Sequence, residues 1–523
     1  MRGLRLVAVL AAALGAASAS AAGANAAGAN AAVVVSLASD APVSTIEPTY
    51  ASWNIDPSCN RGFRDTAFDN ANLLAAAVAL RPARLRFGGS GADALVYGLS
   101  DGSPECAAAG VNESACDTGY TTPGCLNASH WSALFSLAAN SNTDFIFGVS
   151  INLAEACAAG PGYTWNSSNA ANLLSYLRRS GQAVWGFEVG NEVNNNGGAP
   201  CNLSAAMQAG AFNAFASMVA EALPAAKLIG PDTGDRDWQA WLSALLPLVR
   251  PGLLHAVTHH VYLGQERKDF NSPALLDSPL PEILWYTAAC RALAPSAQIW
   301  AGEDGPIGGG NDGTCGAESV CGTFASTLYY ADDMALRATH GFRQYNRQDL
   351  FGGAYGLLNS ASGAMALARD EAVAVRPDFW TAFLFKRTLG LSVLNASSTS
   401  PLVRAYAFSG APPSPFASGL CGAGLELLLL NLDNATAAAV TLPPAADGGA
   451  TFAAWSLAPT AEGGPFARAA TLNGDTLPAA IDVSQRDPRD FLQRIVQPPV
   501  TGPVSGGAIL PPLSTTFLCY SAA

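Results

Sequence analysis

Short apolar runs alternate with stretches of helical periodicity from Val33 to about residue 390. Eight runs rich in β-branched and aromatic residues are predicted to be strands: 51–55, 83–88, 144–150, 184–189, 227–231, 255–262, 297–302 and 342–346. The periodicity between them predicts helices that include 71–80, 170–179, 205–223, 238–248 and 281–293. Strands alternating with helices are typical of a parallel sheet built from βα units. Eight such units predict an α/β fold, a (β/α)8 TIM barrel over 51–390.

The pattern changes beyond residue 391, where short alternating segments are separated by turn residues. These segments are 402–408, 424–431, 438–443, 451–457 and 514–519, and they predict a C-terminal β-sandwich domain over 391–523. Residues 33–50 contain an isolated apolar run that is predicted to add an N-terminal strand to the sandwich. A doubly wound open sheet is the alternative to the barrel, but no Gly-x-Gly-x-x-Gly motif follows the first strand.

The beginning of the chain has the pattern of a secretory signal. Two arginines precede an apolar run at 6–14 and a small-residue site at 17–19, so residues 1–19 are predicted to be a signal peptide. An alanine-rich core helix is the alternative. Residues 20–32 form a low-complexity segment of Ala, Gly and Asn. No later apolar run reaches the ~18 residues of a membrane-spanning helix, so we expect no transmembrane segment, while peripheral association with a membrane stays open.

The composition of the chain limits which binding partners and which cellular compartment are expected. The chain carries 27 basic and 40 acidic residues, a net charge of −13, and has no basic stripe, so nucleic acid is not an expected partner. Eleven cysteines and six Asn-x-Ser/Thr sites agree with an oxidising, glycosylating route. We therefore expect a secreted protein of a cell wall or apoplast-like space. An acidic vacuole or lysosome-like compartment is the alternative.

The cysteines suggest some disulfide pairs. Cys315 and Cys321 could close a small loop, and Cys421 with Cys519 would bracket the C-terminal region. A Gly/Pro-rich insertion contains three more: Cys106, Cys116 and Cys125. Because eleven is odd, at least one thiol is free or pairs with another molecule. No Cys-x-x-Cys spacing is present, so a zinc site is not expected.

Polar residues follow the predicted barrel strands at the end where barrel enzymes place catalytic groups. Glu192 follows the fourth strand and Glu303 follows the seventh. These strands face each other across a barrel mouth, so the two carboxylates are predicted to lie opposite each other. Two carboxylates about 5–5.5 Å apart are the equipment of a retaining glycoside hydrolase. The alternative is that each glutamate caps the helix that follows it.

Neighbouring residues fit the same chemistry. Asn191 directly precedes the first glutamate, where its amide could bond a sugar hydroxyl, and Tyr262 could donate to the nucleophile and hold its orientation. His259 and His260 are adjacent on one strand, so their side chains should point to opposite sides. Only one of them is expected to line the mouth, and the other is expected to pack.

A run of three glycines at 308–310 follows the second glutamate. Bare backbone amides there could approach an anionic sugar closely and bind its carboxylate. No metal or organic cofactor is expected, because two carboxylates suffice for glycoside hydrolysis.

The sequence resembles glycoside hydrolase family 79, the heparanase and β-glucuronidase family, from about Val33 to the C-terminus. The matching motifs are colinear: LRFGGS (85–90), FGVSINL (147–153), WNSSNA (165–170), FEVGNE (187–192), GPDTG (230–234), VTHHVY (257–262), IWAGE (299–303), RQDLFGGAY (347–355), RPDFWTAFLFKRTLG (376–390), ELLLLNLDNAT (426–436) and TLNG (471–474). A colinear series of this kind is specific, whereas any one of these motifs alone would be weak.

The resemblance implies a barrel with a β-sandwich completed by an N-terminal strand, and retaining hydrolysis of β-linked glucuronic acid. Glu192 resembles the family's acid/base and Glu303 its nucleophile. The family binds the uronate carboxylate through a Gly-Gly pair and a tyrosine, whose places are taken by Gly308, Gly309 and Tyr355. Further residues resemble the family's sugar contacts: Asp56, Ser90, Asn191, His260, Tyr262 and Gln348.

The substrate follows from the same resemblance. The lysines with which animal heparanase grips sulfated chains and its long excised linker have no counterpart between strands two and three, so no heparan sulfate preference is expected. Plant-type members act on glucuronic acid in arabinogalactan proteins, which suits an acidic, alanine-rich chain. Glucuronic-acid-containing glycans or glycoproteins are therefore the expected partners.

Three departures from the family pattern leave alternatives open. Val193 replaces the proline after the acid/base, Asp304 follows the nucleophile, and the loop to the glycines is one residue shorter. They motivate a non-catalytic carbohydrate-binding or wall glycoprotein with a degenerate site. A retaining hydrolase of a neutral sugar is the alternative within the enzyme class.

Overall fold

The structure is a computed structural model. It describes residues 32–58, 63–111, 124–196, 201, 203–308, 315, 319–414, 421, 424–445, 449–483 and 498–520. The predicted signal peptide and all but the last residue of the low-complexity segment lie outside the described residues. Gly309, Gly310 and Cys116 lie outside them as well, as do two of the six Asn-x-Ser/Thr sites, Asn112 and Asn202.

A sheet of eight parallel strands forms the barrel and confirms the predicted fold. Its strands are Ala51–Ile55, Arg84–Phe87, Asp144–Val149, Gly186–Val189, Lys227–Leu228, Ala256–Tyr262, Gln298–Gly305 and Gln344–Arg347. Strands six, seven and eight lead in order to strands one through five. Parallel bridges from Ile229 to Ala256 and from Thr233 to His259 join the fifth strand to the sixth and close the barrel. The alternative of an open doubly wound sheet is therefore wrong.

The fifth strand is shorter than the predicted 227–231, because only Lys227–Leu228 form a ladder with the fourth strand. Beyond it, the amide of Gly230 donates to Ala256 and the amide of Thr258 donates to Gly230. The segment therefore keeps its place in the wall through single hydrogen bonds. It also delivers Asp232 to the carboxyl end of the barrel.

Helices surround the barrel, and nine of them have seven residues or more: Ala71–Ala79, Ala128–Ser141, Leu153–Ala159, Ser168–Ser180, Ala205–Ala222, Trp238–Leu245, Leu280–Leu293, Phe324–Thr339 and Pro377–Thr388. Short helices are Pro104–Ala108, Val193–Asn196 and Pro273–Leu276. All five predicted helices are present within a few residues of their expected bounds. No described helix is long and apolar enough to cross a membrane.

Four of the nine longer helices lie outside the five predicted stretches: Ala128–Ser141, Leu153–Ala159, Phe324–Thr339 and Pro377–Thr388. The last two, Phe324–Thr339 and Pro377–Thr388, differ from the others in their burial. Nearly every side chain of both is buried, since they lie between the barrel and the sandwich sheet. A helix that is buried all round has no polar face, so it lacks the amphipathic period by which a helix is recognised in a sequence.

The C-terminal region is a β-sandwich. The smaller sheet contains Val33–Leu37, Ala396–Ser398, Ala438–Thr441 and Ala508–Leu510. The larger sheet contains Ser44–Thr45, Ser392–Leu394, Val403–Ser409, Leu425–Asn431, Thr451–Pro459, Ala470–Leu472, Asp475–Thr476, Val500–Pro503 and Ser514–Tyr520. The N-terminal strand thus completes the smaller sheet, as expected. The exact domain boundaries stay a prediction.

Short strands and 3₁₀ turns make up the remaining elements. Two small sheets combine Leu358–Ser360 with Val373–Val375 and Ala480–Ile481, and Leu95–Gly98 with Gly124–Asn127. The 3₁₀ turns are Phe63–Asp65, Ser90–Ala94, Gly160–Gly162, Leu246–Leu248, Gly464–Phe466 and Val504–Gly506.

Four disulfides link described cysteines. Two of them, Cys315–Cys321 and Cys421–Cys519, are pairs that the sequence suggested. A third, Cys106–Cys125, joins two of the three cysteines in the Gly/Pro-rich insertion. The fourth, Cys157–Cys201, connects two βα loops and has no signal in the sequence spacing. Cys290 is a free, buried cysteine, and burial raises the pKa of its thiol to about 12. It is therefore unreactive at physiological pH.

Candidate active site

The two predicted carboxylates meet at the carboxyl end of the barrel. Glu192 lies just beyond the fourth strand, and Glu303 lies near the end of the seventh. A carboxylate oxygen of Glu192, one of Glu303 and a ring nitrogen of His260 all lie within 4.8 Å of one another. This spacing fits the short separation of the retaining class better than the ~6.5–9.5 Å of the inverting class.

Glu303 is held by two donors. The hydroxyl of Tyr262 donates to Oε1 at 2.5 Å, and the guanidinium of Arg86 donates to Oε2 at 2.8 Å. Its side chain is only 7% exposed. Both donors stabilise the ionised carboxylate and fix its orientation, as the attacking group of a displacement requires.

Glu192 is more accessible, with 16% of its side chain exposed. Asn195 donates to its Oε2 at 3.0 Å, and Nδ1 of His260 lies 3.0 Å from its Oε1. Its backbone has the left-handed φ of 46°, and its amide donates to the carbonyl of Asp232 at 2.7 Å. A Cβ at Gly234 would lie 2.6 Å from Cδ of Glu192, so any larger residue there would displace the carboxylate.

Arg86 lies at the centre of the site, with a side chain that is only 1% exposed. In addition to Glu303, its guanidinium donates to Oε2 of Glu188 at 2.7 Å and to Oδ1 of Asn191 at 2.8 Å. Burial alone would lower the pKa of Arg86, but Glu188, Asp232 and Glu303 raise it well above its ordinary value. The cation is therefore permanent, and it orients both Glu303 and Asn191.

The two histidines of the sixth strand face opposite ways, as the strand alternation predicts. His260 lies in the site, and its Nε2 is 3.2 Å from Oδ1 of Asp232. His259 stacks on Trp238 at 4.1 Å between ring centroids and bonds Glu282 at 3.0 Å. His259 is therefore part of the packing between strand and helices.

Asn191 is positioned by its backbone and by its carbonyl oxygen. Its amide donates to Oδ2 of Asp93 at 2.9 Å, and its Oδ1 accepts from Arg86. Its side-chain Nδ2 is buried and has no hydrogen-bond partner among the described residues. A buried donor of this kind is costly unless a ligand satisfies it, which fits the expected bond to a sugar hydroxyl.

The residues expected around the uronate carboxylate surround Tyr262. The ring of Tyr355 lies 6.2 Å from that of Tyr262, between ring centroids, and a Cβ at Gly308 would lie 3.7 Å from Cγ of Tyr262. Tyr355 is fully buried. Tyr262 also contacts Glu303, so this group lies next to the candidate nucleophile. Gly309 is outside the described residues.

The remaining predicted contacts lie on the other side of the mouth. Nε2 of Gln348 donates to Oδ2 of Asp56 at 3.1 Å, and the amide of Ser58 donates to the other Asp56 oxygen at 2.9 Å. Ser90 accepts from Asn196, in the short helix that follows Glu192, at 3.1 Å. All predicted site residues within the described part of the chain thus lie at the carboxyl end of the barrel.

Comparison with known proteins agrees with this geometry. The family model described as glycosyl hydrolase family 79, N-terminal domain, matches residues 52–335. The chain belongs to this family. That match covers more than half of the chain and includes both glutamates.

Curated relatives of this family 79 chain include three plant and animal proteins. Heparanase-like protein 1 of Arabidopsis thaliana is 27% identical over 69% of this chain, and heparanase of Mus musculus is 27% identical over 77%. Baicalin-beta-D-glucuronidase of Scutellaria baicalensis is 23% identical over 77%. The matches cover 64%, 79% and 75% of these relatives, so the chain spans slightly less than two thirds of the Arabidopsis protein.

Solved structures show the same fold at low identity. A 4-O-alpha-L-rhamnosyl-beta-D-glucuronidase from Fusarium oxysporum superposes with a TM-score of 0.61 at 14% identity, covering 93% of this chain and 97% of that one. A family 51 arabinofuranosidase from Xanthomonas axonopodis pv. citri superposes with a TM-score of 0.64 at 15% identity, covering 94% of this chain and all of the other. At this identity the superpositions establish the fold alone.

The departure at Asp304 has a structural explanation in this family 79 chain. Its side chain points away from the mouth, accepts from the amide of Val261 at 3.1 Å and pairs with Arg337 at 2.9 Å. Arg337 also pairs with Asp333 on its own helix at 3.0 Å. Asp304 therefore ties the strand of Glu303 to the helix Phe324–Thr339. The substitution does not bring a third carboxylate into the mouth.

Sequence reasoning gave no role to Arg86, Glu188 or Asp232, although all three belong to the site. The available signal was a charged side chain inside an otherwise apolar strand, in RLRF and in GFEV. Such a strand is buried on both faces in a barrel, so a charge within it must have a buried partner. The signal does not say which partner it has.

The described residues offer one cluster with the spacing of a metal site, formed by Glu192, His260 and Glu303. Its atoms already bond one another and Arg86. A permanent guanidinium at 2.8 Å from Glu303 repels a second cation. The cluster therefore suits paired carboxylate chemistry better than a metal ion.

Proposed function

We propose that the protein is a secreted retaining β-glucuronidase. The observation that carries this proposal is the meeting of Glu192 and Glu303 within 4.8 Å, on opposite walls of a family 79 barrel. The relative from Scutellaria baicalensis is named as a β-D-glucuronidase, which supports the sugar class. Four disulfides among the described cysteines support passage through an oxidising compartment.

In the first step Glu303 attacks the anomeric carbon. Tyr262 and Arg86 keep its carboxylate ionised and aimed, and Glu192 protonates the departing glycosidic oxygen. A covalent glucuronosyl–Glu303 ester forms as the aglycone leaves. The Nδ2 of Asn191, which has no hydrogen-bond partner among the described residues, would donate to a sugar hydroxyl, an interaction that strengthens in the transition state.

In the second step the roles of the carboxylates reverse. Glu192, now ionised, takes a proton from water, and the water oxygen attacks the anomeric carbon. The bond to Glu303 breaks and glucuronic acid is released with its original anomeric configuration. The partial exposure of Glu192, against the burial of Glu303, suits a group that meets both the aglycone and water.

Recognition of the uronate carboxylate is assigned to Tyr355, Gly308 and Gly309. Tyr355 and Gly308 both lie close to the ring of Tyr262, which donates to the candidate nucleophile, so a carboxylate bound there would lie beside the reacting sugar. Tyr355→Phe should raise KM for a glucuronide and leave a neutral glycoside unaffected. A neutral-sugar hydrolase would not respond to this substitution.

The natural substrate proposed is a glycan or glycoprotein bearing β-linked glucuronic acid, of the arabinogalactan-protein type. This proposal rests on the family resemblance and on the acidic, lysine-poor composition of the chain, which disfavours binding of a dense polyanion. A non-catalytic carbohydrate-binding protein is the second candidate, and Val193 beside Glu192 is the feature that motivates it.

The deciding experiment compares the wild type with Glu303→Gln on 4-nitrophenyl β-glucuronide, β-glucoside and β-galactoside over pH 4–7. Glu282→Gln is a matched control, because Glu282 bonds His259 outside the mouth. We expect glucuronide-selective release that is lost in Glu303→Gln and kept in Glu282→Gln. Saturable glucuronide binding without release from any aryl glycoside or polysaccharide would favour the binding protein. Release from a neutral glycoside would favour the other hydrolase.

A further inference from the structure

Asp232, His260 and Glu192 form a continuous chain of hydrogen-bonded groups. Oδ1 of Asp232 lies 3.2 Å from Nε2 of His260, and Nδ1 of the same ring lies 3.0 Å from Oε1 of Glu192. Asp232 is completely buried, and His260 is 1% exposed. Asp232 also accepts the backbone amide of Glu192 at 2.7 Å. It therefore contacts the candidate acid/base through two routes.

The partners of these groups define their protonation. Both ring nitrogens of His260 face carboxylate oxygens, and a neutral imidazole has only one N–H to donate. An imidazolium satisfies both. Both oxygens of Glu192 in turn face donors, His260 and Asn195. The arrangement thus fits a His260 ring that carries a proton on both nitrogens.

In this resting state His260 carries the proton that Glu192 needs for the first chemical step. A general acid must carry a proton when the glycosidic oxygen departs. We propose that Glu192 and His260 share the single proton of the acid step, and that Asp232 is the positioning residue that aims His260 at Glu192. The inference deepens the proposed function and rests on it.

The proton balance closes over one turnover. The Nδ1 proton of His260 passes to Glu192, whose carboxyl group delivers it to the departing oxygen as the bond from Glu303 to the anomeric carbon forms. Glu192 is then a carboxylate and His260 is neutral. When water attacks, its proton passes to Glu192 and returns to Nδ1, and the ester to Glu303 breaks. No other co-reactant is needed.

The charges around His260 support this assignment. Burial alone would lower the pKa of His260, but Glu303, Asp232 and Glu192 outweigh it and raise the pKa to about 10, with Arg86 opposing them. Burial alone would raise the pKa of Asp232, but Arg86 and His260 hold it below its ordinary value. Seven charged or titratable groups act on the ring from the surrounding strands and loops: Arg86, Glu188, Glu192, Asp232, Asp235, Glu303 and Asp304.

The backbone around Gly302 allows Asp232 and His260 to approach each other closely. A Cβ at Gly302 would lie 3.0 Å from Oδ1 of Asp232 and 3.1 Å from Cδ2 of His260. The amide of Asp232 donates to the hydroxyl of Thr258 at 3.0 Å, and its φ of 54° is left-handed. These contacts hold the carboxylate of Asp232 against the ring.

The test is the pH profile of kcat/KM for Asp232→Asn with two aryl β-glucuronides, one with a poor phenol leaving group and one with 2,4-dinitrophenol. Loss of the carboxylate lowers the pKa of His260, so the shared proton is lost at lower pH. For the poor leaving group we expect near wild-type activity at pH 4.5 and at least about a tenfold loss at pH 7.5. The dinitrophenyl substrate needs no acid and should lose less than about twofold.

Two controls separate this role from a structural one. Asp332→Asn removes another buried carboxylate, which pairs with Arg404 of the sandwich, and it should leave the pH profile unchanged. In a His260→Gln background, Asp232→Asn should cause no further loss, because Asp232 acts on Glu192 through the His260 ring. Equal losses for both leaving groups at every pH, or additive losses in the double variant, would overturn the proposal.

A second measurement uses the wild type alone and needs no activity. Nitrogen NMR of the five histidine rings, with the His260 signal assigned from His260→Gln, reports whether His260 carries both protons. We expect the doubly protonated form at pH 7.5. A neutral ring there would overturn the inference even if Asp232→Asn does not fold. Failure of the wild type to cleave any glucuronide would count against the proposed function instead.

Discussion

Two arginines, the buried Arg86 and the half-buried Arg404, organise two different parts of the molecule. Arg86 lies at the barrel mouth and contacts Glu188, Glu303 and Asn191. Arg404 lies between the sandwich and the barrel, where it contacts both oxygens of Asp332. The two clusters share the same chemistry, because each pairs a largely buried guanidinium with carboxylates.

The clusters differ in how completely their polar atoms are satisfied. At the interface the hydroxyl of Tyr406 also donates to Asp332 at 2.7 Å, and Arg404 reaches Asp277 at 2.6 Å. At the mouth, Nδ2 of Asn191 and Oε1 of Glu188 have no hydrogen-bond partner among the described residues. Buried polar atoms without partners cost stability. A satisfied cluster holds two layers together, whereas an incompletely satisfied one is prepared for a ligand.

The largest expected effect comes from removing the cation at the mouth. Arg86→Met leaves Asp232 and Glu303 buried without their cation, so we expect a loss of about 3–5 kcal/mol in the free energy of unfolding. Aryl glucuronide turnover should fall on the order of 10³-fold, since the nucleophile loses its orientation. Denaturant unfolding and initial rates measure the two losses. A variant with full turnover would remove the distinction between the clusters.

The corresponding change at the interface should separate stability from activity. Arg404→Met leaves Asp332 buried and unpaired, and we expect a loss of about 3 kcal/mol in the free energy of unfolding. Turnover per folded molecule should stay within about twofold of the wild type, because the side-chain partners of Arg404 in the described part of the chain, Asp277, Asp332 and Tyr406, lie outside the mouth. Active-site titration with a mechanism-based inhibitor gives the folded fraction. A large fall in turnover per active site would contradict the comparison.

A smaller effect is expected from one hydroxyl group at the mouth. Tyr262→Phe removes the 2.5 Å donor to Glu303, and a hydrogen bond to a charged group contributes about 1.5–3 kcal/mol. We expect kcat to fall by about tenfold or more, with the melting temperature nearly unchanged. Tyr406→Phe is the matched control, since it removes the corresponding hydroxyl from Asp332 and should affect the melting temperature alone.

The smallest expected effect is the response of stability to pH. Burial raises the pKa of Asp93 and that of Glu188 to about 8, well above the ordinary values of unfolded carboxyl groups. The folded state therefore binds more protons, and this contribution to stability is full below about pH 4 and lost as pH rises to about 8. We expect the melting temperature to fall by about 2 °C or more between pH 5 and pH 8.5.

Asp93→Asn is the control for this pH response. It keeps an acceptor for the amide of Asn191 and cannot ionise, so it should flatten the dependence of the melting temperature on pH. A dependence as steep as that of the wild type would show that other groups cause it.

Much of the barrel could be predicted because its signals are local. A strand such as Asp144–Val149 is apolar over nearly its whole length because both faces are covered, and its order among helices predicts the parallel sheet. Glu192 and Glu303 could also be predicted as a pair, because the ends of strands four and seven lie at the same mouth of an eight-stranded barrel. The buried helix Pro377–Thr388 was not, since it has no polar face.

The contacts of the site depend on tertiary structure. Arg86 and Glu303 are 217 positions apart, and Glu192 and His260 are 68 positions apart, so no local pattern relates them. Strand closure brings them together. Neighbouring charges then outweigh burial in setting the pKa of His260 and of Asp232, whereas burial dominates the pKa of Glu188. The sequence by itself determined the fold class and the two glutamates, because periodicity and strand order are properties of the chain. Only the folded barrel decided which charges compensate one another, because electrostatic pairing depends on distance in space.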